Sequence, residues 1–244
     1  MAELYNRVAG LRNVAAFLAL VDRVEARDPS LPGMACFYGR SGRGKSTAAA
    51  FVARKRDCVV IEVRSLWRTK RFLQGCAEAM GLRPAKVTAD ILDQVAERLA
   101  RTGRTLIIDE ADHMARQGQM IEVARDLHES TQVGVILVGE ETLPQTLQRW
   151  ERVHGRMLDW VGAEPGTAED LDKLLAVYAP DLAVAEDLRA AMLAAAGPSI
   201  RRMCVNIQMV RARAQGLGRS EMALAQMGRV AFPEGEAPEP RVDA

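Results

Sequence analysis

Gly39-Arg40-Ser41-Gly42-Arg43-Gly44-Lys45-Ser46 reads G-x-x-x-x-G-K-S, and Thr47 follows it. That spacing suits the seating of phosphates. Phosphate oxygens need backbone N–H groups on a tight turn and the positive end of a helix. Gly39, Gly42 and Gly44 permit the turn without Cβ clashes, and Arg40, Ser41, Arg43 and Thr47 complete the cradle. Lys45 would reach the β and γ phosphates of a nucleoside triphosphate, and the Ser46 hydroxyl would ligate Mg²⁺. A second stretch, Thr105-Leu106-Ile107-Ile108-Asp109-Glu110, is an apolar run ending in two carboxylates, 64 residues after Lys45. This is a Walker B pattern. Asp109 would hold Mg²⁺ through its water shell, because Mg²⁺ keeps waters and uses few carboxylates. Glu110 would polarise the attacking water as general base.

Elements of the right type flank both motifs. Met34-Ala35-Cys36-Phe37-Tyr38 has strand length and leads into the phosphate loop, while Ser46 to Arg54 is Ala-rich and helix-compatible. Cys58 to Val63, Thr105 to Ile108 and Val133 to Gly139 read as further buried parallel strands, and Met157 to Val161 as a short fifth. Helical patterns alternate with them, so a three-layer α/β sheet is expected. Asn13 to Ala26 is amphipathic, with Val14, Phe17, Leu18, Val21 and Val24 on helical spacing. Thr88 is placed to cap a helix over Ala89 to Arg101. A helix from about Leu143 would carry Arg149, Arg152 and Arg156. From Glu164-Pro165-Gly166 onward only helices are expected. Thr167 and Asp170 form a capping pair, Val184 to Ala196 and Ile200 to Ala214 are helical, and Ser220 caps a last short helix. The expected domains are an N-terminal helix and linker (1–33), an α/β nucleotide-binding core (34–163), an all-helical lid (164–230) and a disordered acidic tail (231–244).

Whole-chain properties narrow the class. Over 244 residues the net charge is only +1, so nucleic-acid contact must come from a local patch and not a global field. The 28 Arg against 5 Lys supply planar donors suited to phosphate. One patch stands out. From Arg54 to Arg71 seven basic side chains face two acidic ones, with Trp67 and Phe72 bounding the segment's end. Arg64, Arg68, Thr69, Lys70 and Arg71 are either contacts to a DNA backbone or a solvated helix start. No signal-like or membrane-length apolar run occurs, so a cytoplasmic location with no membrane association is expected. The four cysteines form no C-x-x-C pair and read as buried thiols. His113, His128 and His154 lack metal-site spacing and read as exposed or locally bonded.

With both nucleotide motifs on an α/β pattern followed by helices, residues 10 to 228 resemble an AAA+ ATPase. The resemblance implies ATP and Mg²⁺ as cofactors and a homo-oligomer. It places an arginine finger near the end of the helix that follows the fourth strand: Arg156 first, Arg152 second, acting in trans on a neighbour's γ-phosphate. Gly197-Pro198-Ser199-Ile200-Arg201-Arg202 is similar to the lid's G-x-x-R run with one extra residue, which implies that Arg201 contacts nucleotide. Family members put Asn, Ser or Thr after the fourth strand as sensor 1; this chain has Gly139-Glu140-Glu141. Asp109-Glu110-Ala111-Asp112-His113 also resembles a helicase box, but those enzymes need a second α/β domain. Within the superfamily, Leu137-Val138-Gly139-Glu140-Glu141-Thr142-Leu143-Pro144 with basic and aromatic residues after it is most similar to the transposition ATPases. These are the B protein of Mu-like phages and the target-selecting ATPases of bacterial transposons. That resemblance implies assembly as an oligomer or helical filament on double-stranded DNA of largely any sequence. It also implies delivery of that DNA to a DDE transposase. An N-terminal helix-turn-helix domain like the phage protein's is not expected from these residues, so DNA contact is expected from the ATPase core. A helicase loader or replication initiator, or a nucleotide-dependent protein remodeller without DNA, would carry the same motifs.

Overall fold

The computed structural model describes Gly10 to Gly228 and Phe232. Two compact units divide these residues, one from Arg12 to Glu164 and one from Pro165 onward with the residues up to Leu11. The acidic tail expected at 231–244 lies, Phe232 apart, outside the described residues.

The larger unit runs α1 (Arg12–Glu25), β1 (Met34–Tyr38), α2 (Lys45–Arg56), β2 (Val59–Glu62), α3 (Thr69–Ala79), α4 (Thr88–Thr102) and β3 (Leu106–Asp109). It continues through α5 (Asp112–Ala115), α6 (Gly118–Thr131), β4 (Val135–Gly139), α7 (Leu143–Leu147), α8 (Glu151–His154) and β5 (Met157–Gly162). All five strands are parallel, in the order β2-β3-β4-β1-β5. This is the parallel α/β sheet that the alternating pattern called for. Strands β3 and β4 are buried along their whole length, which is why they read as unbroken apolar runs.

Helix α1, expected to stand before the core with its linker, is part of it. Phe17 is fully buried and meets Phe37 of β1 edge to face at 5.0 Å, and Val14, Leu20, Val21 and Val24 are buried beside it. Burying that stripe is what fixes the helix on the sheet. Thr88 is not a cap. Val87 takes that position and Thr88 is the first helical residue, with no side-chain hydrogen bond at the helix start.

The helix expected from Leu143 through Arg156 breaks into α7 and α8. Trp150 is the cause: its indole N–H donates to Ala115 O at 2.9 Å and its ring packs on Gly118, which pulls the backbone out of helical geometry. Arg149 lies in the break, Arg152 on α8, and Arg156 in the turn before β5.

One histidine is structural. His128 is buried; its Nδ1 bonds Val133 O at 2.8 Å and its Nε2 accepts the Gly33 N–H at 3.2 Å, tying α6 to the entry of β1. Burial pulls its pKa below the ordinary imidazole value, and Arg27 and Arg156 add to that, against the Val133 bond and Glu129. An imidazolium would turn an N–H toward the Gly33 donor. The unfolded chain therefore binds a proton more readily. Stability from this group is present above the unfolded pKa, near 6.5, and is lost as pH falls through the folded value. We expect chemical denaturation between about pH 7.5 and about pH 5 to show that slope, at most about 1.4 kcal/mol per pH unit, and His128→Gln to remove it. An unchanged slope in the variant would assign the effect elsewhere.

The smaller unit contains α9 (Ala168–Tyr178), β6 (Ala183–Val184), α10 (Glu186–Ala196), α11 (Ile200–Leu217), β7 (Glu221–Met222) and α12 (Leu224–Met227). Thr167 and Asp170 form the expected capping box. The unit is not purely helical, because β6 and β7 pair in parallel. Val184 therefore belongs to a strand and not to α10, and Ser220 precedes β7 and does not cap a helix; Ala223 stands before α12. Leu188, Met192, Met203, Ile207 and Val210 pack the interface of α10 and α11, where the buried Asn206 donates to Met192 O at 2.9 Å. Among the described residues, no helix is long and apolar enough to cross a membrane. Cys36, Cys58 and Cys76 are buried free thiols, and burial pushes Cys58 up to about 12.

Candidate functional site

The phosphate loop leaves the carboxyl end of β1, and the acidic pair leaves the carboxyl end of β3, two positions away in the sheet. Register brings them level: Tyr38 of β1 faces Gly139 of β4, and Ile108 of β3 faces Leu137 of β4. In an open parallel sheet the crevice beyond these strand ends is where ligands bind.

Within the loop Gly42 and Gly44 adopt positive φ, at 83° and 79°, a conformation that a Cβ would strain. Gly44 hands the chain directly into α2, whose start has no side-chain cap. Ala48 N–H donates to Gly44 O at 2.9 Å and closes the first turn of α2, so the N–H groups of Lys45, Ser46 and Thr47 come before the first intrahelical bond. They stand at the positive end of a twelve-residue helix, a setting that favours an anion. Ser46 and Thr47 are exposed at that end.

Lys45 folds back over the loop, donating to Gly39 O at 2.6 Å and Arg40 O at 3.1 Å. Burial lowers its pKa, and the charges of Asp109, Glu110, Glu140 and Asp112 oppose that shift. Those four acids and the ammonium therefore share one electrostatic neighbourhood. The loop's outer edge is pinned as well. Arg40 pairs with Glu141 at 2.8 Å, an exposed contact worth little energy. The Arg43 guanidinium donates to Ala163 O. Beneath it the buried Asn13 donates to Arg43 O and Glu164 O, both at 2.9 Å, and accepts from Glu164 N at 2.8 Å. Sequence reading had Asn13 only as the first residue of an apolar helix; a polar side chain on the buried stripe was the available signal.

Asp109 is buried at the end of β3, and its Oδ1 accepts the N–H of Glu110 at 2.9 Å. Glu110 is exposed and held at φ 55°, a left-handed conformation costing on the order of 1–3 kcal/mol for a residue with a side chain. Partial burial raises its carboxyl pKa, Asp109 and Asp112 raise it further, and His113 and Lys45 pull the other way. A base shifted toward neutrality in a cleft is the kind of group that accepts a proton from water.

The remaining predicted residues lie elsewhere. Arg64 and Arg68 are exposed in the turn between β2 and α3, and Arg68 donates to Trp67 O at 3.0 Å. Lys70 donates to Lys86 O at 2.8 Å. Arg71 lies over the Trp67 ring at 4.9 Å and pairs with Glu78 through both carboxylate oxygens. Arg68, Thr69 and Lys70, with Thr88 and residues 117–120, line a cavity of about 530 Å³. Arg156 pairs with Glu129 at 2.6 Å beside the amino end of β1, whose Met34 N–H its carbonyl receives, so it stands at the opposite end of the strands from the loop. Arg152 is exposed on α8. Arg201 is exposed in the first turn of α11, in the smaller unit.

Residues 27–147 match a family model described as an AAA domain. No curated protein sequence matches the chain. Among solved structures, the Aeropyrum pernix Orc1 protein in complex with DNA is similar, with TM-score 0.61 and 19% identity, covering 88% of this chain and 62% of that one. Cdc6p from Pyrobaculum aerophilum aligns with TM-score 0.64 and 16% identity over 90% of this chain and 66% of its own. Domain III of the Thermotoga maritima replication initiation protein DnaA gives 0.58 and 15%, over 91% and 92%. The chain spans less than two thirds of the first two. At these identities the likeness is one of fold, and the fold is that of P-loop AAA+ ATPases.

Proposed function

We propose that this chain is an ATP-dependent DNA-binding ATPase that assembles on double-stranded DNA as nucleotide binds and leaves as it is hydrolysed. The observation that carries the first half is the convergence of Lys45, the loop with its helix start, Asp109 and Glu110 at one end of the sheet. The residues fit a magnesium triphosphate. The loop N–H groups and Lys45 would hold the phosphates, and Ser46 and Asp109 would hold Mg²⁺, which supplies charge neutralisation between phosphate oxygens. Glu110 accepts the proton of the attacking water. Arg201 is assigned to the nucleotide in the same reading.

Arg156 and Arg152 are assigned to a neighbouring subunit's phosphate. The placement of Arg156 supports action in trans, since the whole length of β1 separates it from its own loop. To act it must leave Glu129, so assembly and release of that pair are linked. Mixing Lys45→Ala with Arg156→Ala chains should restore turnover, because each supplies what the other lacks. No restoration, with Arg152→Ala complementing instead, would move the role to Arg152.

DNA is assigned to Arg64, Arg68, Thr69, Lys70 and Arg71. The exposed Arg64, and the exposed Arg68 lining a cavity with Thr69, Lys70 and Thr88, support phosphate contact, since such contacts come from Arg, Lys and hydroxyl side chains. The test is binding of random duplex DNA at about 50 mM salt with and without ATP and Mg²⁺. We expect binding only with ATP. Arg64→Ala with Arg68→Ala should weaken it uniformly across sequences and lower the salt slope by about 2. Affinity indifferent to nucleotide would sink the reading.

Two roles for such an assembly stay distinct. The run Leu137 to Pro144 supports a target-delivering partner of a DDE transposase. The fold likeness to an Orc1 protein solved with DNA and to DnaA supports a replication initiator or helicase loader. Stimulation of hydrolysis by a purified DDE transposase marks the first role, and stimulation by a replicative helicase marks the second.

A further inference from the structure

Asp112 is one of few carboxylates buried in the larger unit, and no part of the proposed chemistry uses it. It sits at the start of α5, two residues past Glu110, and is 7% exposed. Its Oδ2 accepts the backbone N–H of Glu140 at 2.8 Å, so the turn after β3 is tied to the chain just past β4. A second tie runs in parallel, from Ala111 N–H to Val138 O at 2.9 Å. The end of β4 is shaped to admit the carboxylate. A Cβ on Gly139 would meet Asp112 Oδ2 first and the tip of Leu143 next, so the space that a side chain at position 139 would fill is already taken by Asp112 together with Leu143.

We infer that Asp112 is a positioning residue: reaching across from the turn after β3, it fills the end of β4 and holds Glu110 in its left-handed conformation against the nucleotide. The inference rests on the hydrolysis proposed above. Two constraints fix Glu110. The Asp109 side chain caps its N–H from one side, and the Asp112–Glu140 bond anchors the residues immediately after it. A non-glycine residue persists at positive φ only where its surroundings over-determine it, and a bond from a buried carboxylate to a backbone N–H is of the stronger kind. Glycine at position 139 is the condition for a carboxylate from the neighbouring strand's turn, and the Glu140 side chain is left outside.

The acceptor, and not the bulk of the side chain, is the active part, so three variants separate the possibilities. Asp112→Ala removes the acceptor, Asp112→Asn keeps an amide oxygen in its place, and Gly139→Ala expels the carboxylate while leaving it in the chain. In the full-length protein with ATP and Mg²⁺, Asp112→Ala and Gly139→Ala are expected to lower kcat by about 100-fold with KM little changed, the effect of a base misplaced by about 1 Å. Asp112→Asn should retain most of the turnover. Independently of turnover, exchange of the Glu140 amide hydrogen should be about tenfold faster in Asp112→Ala and near wild type in Asp112→Asn. Equal losses in Asp112→Asn and Asp112→Ala, a parallel rise of KM, or unchanged Glu140 exchange in Asp112→Ala would each overturn the inference. Absence of turnover in the wild-type protein would instead defeat the hydrolysis reading, and Glu140 exchange would still decide whether Asp112 anchors the turn.

Discussion

Lys45→Ala is expected to abolish ATP hydrolysis and to weaken ATP binding without unfolding the protein. The loop directs this ammonium over its own turn, in the field of Asp109, Glu110, Glu140 and Asp112. Removing one charge-assisted hydrogen bond to a phosphate costs about 1.5–3 kcal/mol, roughly 10- to 150-fold in affinity. Loss of stabilisation for charge developing during phosphoryl transfer adds about 100- to 1000-fold in kcat. The truncation also leaves the buried Gly39 O and the exposed Arg40 O without the Lys45 donor, a cost of about 1–3 kcal/mol, so the melting temperature should fall by several degrees while the protein stays folded. Isothermal titration with an ATP analogue, turnover and thermal denaturation on the same sample separate these effects. Retained turnover in Lys45→Ala would remove the loop from the chemistry altogether.

Glu110→Gln should give the opposite combination, strong nucleotide binding with hydrolysis down by about 100- to 10,000-fold, the usual contribution of a positioned general base. Glutamine keeps the volume and the left-handed backbone while losing the proton acceptor. Because Glu110 is exposed and Asp109 is not, the variant leaves Asp109 buried and hydrogen-bonded as before. With DNA release coupled to hydrolysis, complexes on duplex DNA should persist after dilution in Glu110→Gln and decay in the wild type. The measurement is dissociation followed by fluorescence anisotropy with ATP present. A kcat within a few-fold of wild type would assign proton acceptance to another acid in the cluster, with Glu140 the next exposed candidate.

The shape of the candidate site was legible because its requirements are local. A turn with positive φ at Gly42 and Gly44, a helix starting at Lys45 and a carboxylate at the end of an apolar strand are each written within a few residues. The strands were legible for a related reason: parallel strands covered on both faces become continuous apolar runs, as Leu106–Asp109 and Val135–Gly139 do. The break between α7 and α8 was not legible, because Trp150 leaves the helix for a carbonyl 35 residues earlier. The pairing of β6 with β7 was equally hidden. Two residues on each strand are too few to show alternation, and their partners are 38 positions apart in register.

Sequence alone determined the local geometry of Gly39–Thr47 and Asp109–Glu110, since backbone conformation and charge there depend on near neighbours. It also determined that the sheet is parallel and enclosed. Tertiary structure decided everything that depends on distant chain segments meeting. It placed β4 between the two motifs, so that Gly139 could yield its space to Asp112. It set Asn13 under the loop and His128 against Gly33, two buried polar side chains whose partners lie 151 and 95 residues away. It put Arg156 at the opposite end of the strands from Lys45. The physical reason is the same in each case. A buried donor or acceptor must find a partner, and which partner it finds is set by packing and not by sequence separation.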